Sequence, residues 1–148
     1  MKFLTPLFLL FLSFVNAHYN FPSMNTGSAW SNVRQWSGYY TFDPVVNVLS
    51  PDIRCNANAS FAPNTLSVAA GSVLKWAANP DIYHPGPLLA YMAKVPTNKT
   101  GLTAANWDGA GEVWFKIYED RPTVGSAGLV WPSNSMTPFS LPLSSYLP

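Results

Sequence analysis

The sequence predicts an all-β protein, an antiparallel sandwich carrying long loops. Three observations support this. Short apolar runs are divided by turn signals, and no stretch of helix length keeps a helical period. Fourteen prolines in 148 residues interrupt the backbone more often than helices tolerate. In "EVWFKIYED" (112–120), Val113, Phe115 and Ile117 fall on one side and Trp114, Lys116 and Tyr118 on the other. That period of two belongs to a half-buried antiparallel strand.

The elements follow in chain order. Residues 18–43, with Pro22, Gly27 and Gly38, show no clear period and read as a long polar and aromatic loop. "PVVNVL" (44–49) reads as a strand ended by Ser50-Pro51. "TLSVAAGSVLKWAA" (65–78) divides at Ala70-Gly71-Ser72 into two short strands, a hairpin. "GPLLAYMAKV" (86–95), "EVWFKIYED" and "TPFSLPL" (137–143) supply further strands, and only "GLTAANWDGA" (101–110) suggests a helical turn. No internal repeat stands out, and the length suits one domain.

That domain is expected over residues 18–148, because residues 1–17 have the form of a secretory leader. Lys2 is the positive start, "FLTPLFLLFLSFV" the apolar centre, and Val15 and Ala17 the small residues of a cleavage site. The apolar run is shorter than the ~18–20 residues that span a bilayer. The expected location is therefore outside the cell. Loss of the leader removes Lys2 and leaves seven basic against seven acidic side chains. A neutral surface argues against nucleic acid and anionic membranes, which both select basic patches. Charged residues are only 10% of the chain and aromatics 15%, a balance suited to stacking on a neutral polymer such as a polysaccharide. Asn58-Ala59-Ser60 and Asn98-Lys99-Thr100 are glycosylation sequons, so Asn58 and Asn98 are expected on the surface with glycans.

Only two histidines are present. In "SFVNAHYNFP" (13–22), cleavage after Ala17 makes His18 the first residue of the mature chain. Its α-amino group and its own imidazole can then chelate one metal through a small ring, which no internal histidine can do. The amine's ordinary pKa is about 8, so a metal can displace its proton near neutral pH. A second imidazole would complete a planar three-nitrogen set, the tetragonal coordination that Cu(II) prefers. His84 is the one candidate, in "DIYHPGPLLAYMAK", where Pro85, Gly86 and Pro87 stiffen the turn before a strand. Chance would place one of two histidines first in such a chain only about 1–2% of the time, given this cleavage site.

"HYNFP" at the cleavage site, "SPDIRCN", "HPGPLLAYMAKV" and "GEVWFKIYED" occur in the order found in the auxiliary activity family 9 lytic polysaccharide monooxygenases, formerly classed as glycoside hydrolase family 61. The chain resembles these fungal enzymes from His18 to about Pro142. The resemblance implies an immunoglobulin/fibronectin-III-like sandwich and a copper-binding histidine brace made by His18 and His84. It implies that copper, reduced by an external electron donor, reacts with dioxygen or hydrogen peroxide. Hydrogen is then abstracted at C1 or C4 beside a β-1,4-glycosidic bond of cellulose or a related β-glucan. A monomer with one copper per chain and an exposed flat face is implied, because crystalline cellulose cannot enter a cleft. Family members carry tyrosines on that face, and "VRQWSGYYTFDP" here occupies the corresponding place. Tyr40 is therefore expected to stack on sugar rings, with Trp36 and Tyr39 behind it.

Two other functions compete. A glycoside hydrolase needs two carboxylates across the scissile bond. Glu119 and Asp120 are adjacent and would face opposite sides of a strand, and Glu112 and Asp108 belong to no motif. A copper- or cellulose-binding protein without catalysis would keep the aromatic face and the brace.

The resemblance also implies an incomplete catalyst. Family members continue past the "TPFSLPL" region with strands that bring an axial tyrosine, a glutamine, a further histidine and the cysteine that pairs with the equivalent of Cys55. Here Cys55 is the single cysteine, and Tyr146 does not stand in the axial motif. Read from its residues alone, an unpaired cysteine in a secreted chain has three explanations: an intermolecular bond, a free thiol, or a partner outside the sequence. Missing strands would leave open sheet edges, and a missing disulfide removes ~2–5 kcal/mol.

Overall fold

The central strand is the one whose sequence alternates most cleanly. In β2 (Val73–Asn79), Leu74, Trp76 and Ala78 turn inward while Val73, Lys75, Ala77 and Asn79 stay exposed. No proline interrupts it, so both edges can donate and accept. β1 (Asn20–Met24) pairs antiparallel with one edge and β7 (Phe139–Pro142) with the other, giving a three-stranded sheet of order β1-β2-β7. Pro22 and Pro142 both lie on these outer strands, where a missing N–H is tolerated. A register shift between Asn20 and Ser23 explains how Phe21 and Met24, three apart, both reach the core.

This is a computed structural model, and it describes residues 18–134, 136 and 138–145. The expected leader over residues 1–17, and Tyr146, lie outside them. Among the described residues there is no α-helix, and the only 3₁₀ turn, Pro51–Arg54, is capped by Ser50, whose side chain accepts from the Asp52 N–H.

β3 (Leu89–Ala93) and β4 (Trp114–Glu119) form a second antiparallel sheet. Its Ala90, Met92, Ile117 and Tyr118 pack on the buried Leu74, Phe139 and Leu141 of the first, which makes a sandwich. Ile82, Leu88 and Leu143 complete the buried cluster, and Phe139 lies 5.9 Å from Trp76 and 5.2 Å from Tyr118, centroid to centroid. An apolar cavity of about 320 Å³ remains between the sheets. β5 (Thr123–Gly125) and β6 (Gly128–Val130) make a separate hairpin.

Four expectations need correction. The 44–49 run forms no strand: Val46 is 92% exposed and no neighbour pairs with it. The 65–78 hairpin is half right, because β2 forms but its partners are distant strands. The Ser72 N–H closes a turn on Ala69 O, and residues 65–69 join no sheet. The clean alternation of β4 is broken where Ala90 faces Tyr118 but Tyr91 faces Lys116. The extra residue, Ile117, shifts the phase, so Ile117 and Tyr118 both reach the core. Residues 18–43 are not wholly loop, since they contain β1, whose paired residues lie 52 to 59 positions away and leave no local signal.

Candidate functional site

β1 and the loop after β2 bring the two histidines together. Tyr19 and Phe21, two apart and 5.7 Å between ring centroids, point into the sandwich, which leaves His18 at the exposed start of the strand. Burial pushes the Tyr19 phenol above its usual pKa, in keeping with that inward position. His84 sits in a proline-rich loop anchored by buried Ile82 two residues before it and buried Leu88 four after. Tyr19 and Tyr83 flank its ring at 5.6 and 5.9 Å. His84 Nδ1 lies 3.4 Å from Pro85 O, so the tautomer with its proton on Nδ1 would make a long bond there and leave Nε2 available as a ligand.

The His18 and His84 centroids are 6.4 Å apart, with ring planes at 82°. A metal–imidazole bond is about 2 Å and a ring nitrogen stands about 1.2 Å from its centroid, so two rings on opposite sides of one metal have centroids roughly 6.4 Å apart. The observed separation is therefore close enough for one metal ion to lie between the two rings. No group of three His, Cys, Asp or Glu side chains occurs among the described residues. A third donor has to come from elsewhere, and cleavage after Ala17 would create one on His18 itself.

Both histidines lie on the wall of a cavity of about 780 Å³, together with Asn20, Trp30, Trp36 and Cys55. Cys55 is half-buried and has no cysteine partner among the described residues. Of the three expected stacking residues, Trp36 shares this wall, while Tyr39 and Tyr40 stand further along the same loop. Tyr40 is 69% exposed and Tyr39 37%. Sequence reasoning missed two residues that organise them. Trp30 is the hub, with its ring 5.7 Å from Trp36 and 5.4 Å from Tyr39, and Tyr39 is 5.6 Å from Tyr40. Asn20, buried, donates from Nδ2 to Tyr39 O at 3.1 Å and so ties the His18 strand to the aromatic loop. Its Oδ1 is buried without a protein partner. The presence of Asn two residues after His18, where β1 begins, was the available signal.

Of the four carboxylates weighed for hydrolysis, three are engaged with other groups and the fourth, Glu112, is exposed. Glu119 is exposed and bound to Lys116 Nζ at 2.5 Å and Arg121 at 3.4 Å. The Lys116 hydrogen bond is the main influence holding its carboxyl below the usual range; desolvation opposes it, and the Arg121 and Lys116 charges add to the lowering. Asp120 is buried and accepts from the Ser133 N–H at 2.8 Å. Asp108 accepts from the Ala110 N–H and Glu112 is exposed. Asn58 and Asn98 are both exposed, as glycan acceptors must be.

Comparison with known proteins agrees with this architecture. The family model described as Auxiliary Activity family 9 (formerly GH61) matches residues 12–147. AA9 family lytic polysaccharide monooxygenase H of Malbranchea cinnamomea is 45% identical over 158 residues, covering 99% of this chain and 67% of that protein. AA9 family lytic polysaccharide monooxygenase C of Emericella nidulans is 48% identical over 140 residues, covering 90% and 58%. AA9 family lytic polysaccharide monooxygenase E of Thermothielavioides terrestris is 45% identical over 130 residues, covering 87% and 56%. The chain thus spans 56 to 67% of the length of these relatives. A match across nearly the whole sequence, joined to an all-β sandwich, places the chain in Auxiliary Activity family 9.

Proposed function

We propose that this chain is a secreted, copper-dependent lytic polysaccharide monooxygenase domain acting on β-1,4-glucan such as cellulose, with oxidation at C1 and/or C4. One observation carries the reading: two histidines 66 positions apart, the only two in the chain, stand with ring centroids 6.4 Å apart, close enough to share one metal ion. The names of the relatives supply the reaction class.

His18 and His84 would hold the copper, with the free α-amine of His18 as third nitrogen after the leader is cleaved. Bound there, copper would supply redox chemistry toward dioxygen or hydrogen peroxide, with electrons from an external donor. The remaining roles belong to the protein. Tyr19 and Tyr83 pack beside the His84 ring and restrict its rotation. The loop carrying Trp36, Tyr39 and Tyr40 offers apolar ring faces to the C–H faces of glucose units. Trp30 braces that loop from below, and Asn20 sets its distance from the His18 strand.

The test uses protein shown by N-terminal sequencing to begin at His18. It should bind one Cu(II) with a tetragonal, nitrogen-rich electron paramagnetic resonance spectrum. Incubation with cellulose and a reductant should release aldonic acids or C4-oxidised ends. His84→Ala should lose most of the copper affinity and all oxidised product. Plain reducing ends would indicate a hydrolase, and binding without product a non-catalytic protein. Wild-type copper affinity in His84→Ala would refute the ligand assignment.

A further inference from the structure

We propose that Ser133 is a positioning residue for His84, and that its hydroxyl, oriented by the buried Asp120, fixes the loop that presents the imidazole to the metal. This rests on the copper reading of the histidine pair.

The His84 loop has an unusual shortage of hydrogen-bond donors. Pro80, Pro85 and Pro87 have no N–H, so the segment around His84 cannot secure itself through the main-chain bonds that close ordinary turns. Buried Ile82 and Leu88 anchor its two ends in the core. Between them the chain could still rotate about the line joining those anchors, and His84 lies on the part that would swing. Packing does not prevent this at Gly86, where a Cβ would meet nothing within 4 Å.

The restraint comes from outside the loop. Ser133 Oγ donates to Gly86 O at 3.2 Å, and the Asp120 N–H donates to Leu88 O at 2.8 Å. Asp120 Oδ2 in turn accepts from the Ser133 N–H at 2.8 Å. Three segments are thereby closed into one figure: the His84 loop, the end of β4 and the turn after β6. Ser133 is 2% exposed and Asp120 6%. Water therefore competes little for the buried Ser133–Asp120 bond, and the Ser133–Gly86 bond is partly shielded from it. Ser133 uses its main chain to hold Asp120 and its side chain to hold Gly86. Removing the hydroxyl releases only the second of these.

That separation makes the experiment specific. Ser133→Ala keeps the Asp120 bond and the apolar core, and frees the loop at Gly86. The mature protein, beginning at His18, is titrated with Cu(II) by competition well below its unfolding temperature, and its electron paramagnetic resonance spectrum is recorded. Groups that orient metal-bound histidines typically contribute 10–100-fold to affinity. The expected result is at least a ~10-fold weaker Cu(II) affinity with a shifted copper hyperfine splitting. Leu141→Ala, a core change outside the loop, should keep wild-type affinity and spectrum. A smaller loss in Ser133→Ala overturns the proposal, and so does an equal loss in Leu141→Ala, which would reveal general destabilisation. If Ser133→Ala does not fold, Ser133→Cys keeps the shape with a weaker donor. A shifted spectrum there supports the role and an unchanged one overturns it. Failure of the wild type to bind copper would instead remove the reading beneath the proposal, and is seen before any variant is made.

Discussion

Replacing Leu141 by alanine should lower the unfolding temperature by about 10 °C while leaving the histidine pair undisturbed. Leu141 is 1% exposed in β7 and stands opposite Leu74 of β2, where the outer strand closes the core. The substitution removes three carbons, each contributing about 0.8 kcal/mol of transfer free energy, or about 2.4 kcal/mol. A cavity contribution adds to this, and measured Leu→Ala costs span about 2–5 kcal/mol. Leu141 already borders the 320 Å³ space between the sheets, so the vacated volume extends an existing gap instead of opening one inside dense packing. That places the total near 3 kcal/mol, in the lower half of the range. With an unfolding entropy of about 2.1 cal/mol/K per residue over roughly 130 residues, 3 kcal/mol corresponds to about 10 °C. Tryptophan fluorescence reports the transition directly, because Trp76 stacks on Phe139, two residues along β7 from Leu141. A fall of less than about 3 °C, equivalent to under ~1 kcal/mol, would refute the reasoning and show that β7 does not close this core in solution.

Three further changes probe other parts of the molecule. Tyr40→Ala should weaken retention on cellulose by about 1–3 kcal/mol, a several-fold to hundred-fold effect in pull-down isotherms, with Cu(II) affinity unchanged. Tyr118 has its phenol pKa pushed above 10 by burial first and by the Asp120 charge second. The neutral phenol is thus favoured in the folded state, and its stabilisation is intact below pH 10 and lost as pH rises through the folded pKa. Urea titrations at pH 8 and pH 11 should show a smaller alkaline loss in Tyr118→Phe than in wild type. Gly109 has φ +82° and a Cβ there would lie 3.3 Å from Trp114 Cζ2, so Gly109→Ala should cost about 1–2 kcal/mol from the backbone alone. Circular dichroism in the aromatic region should also register a disturbed Trp107–Trp114 stack, whose rings lie 5.9 Å apart.

The parts of the fold legible in the sequence are those whose signal is local. β3, β4 and β7 announce themselves by alternation or by apolar runs between turn residues, and β2 does so by its inward Leu74, Trp76 and Ala78. Val46 and Val48 carry the same composition as a strand and form none, because a strand also needs a partner and a neighbour to cover it. The reverse holds for β1. Its "NFPSM" looks like loop, yet it pairs because β2 supplies an edge from 52 to 59 residues away. The same division applies to the site. His18 was visible because a cleavage signal is local, and His84 because histidine is so scarce here that the choice of partner was forced.

What the sequence does not display is how those histidines are held. Ser133 and Gly86 are 47 residues apart, and Asn20 and Tyr39 are 19 apart. A serine in "WPSNS" or an asparagine in "HYNFP" has many equivalent surface counterparts elsewhere in the chain. Only burial distinguishes them, since a polar group removed from water must find a partner or destabilise the fold. Buried polar residues are therefore the place to look for supports of a candidate metal site. By that criterion Asn20, Asp120 and Ser133 form a short list, each joined to an element that carries a histidine or the aromatic loop. Asn20 differs from the other two in keeping an unpaired buried oxygen. Removing its side chain loses one bond to Tyr39 O and relieves one unsatisfied acceptor, effects of about 1 and 1–3 kcal/mol that oppose each other. Its main consequence should therefore fall on the placement of the aromatic loop and not on global stability, whereas Ser133, with both its N–H and its hydroxyl engaged, acts on the His84 loop.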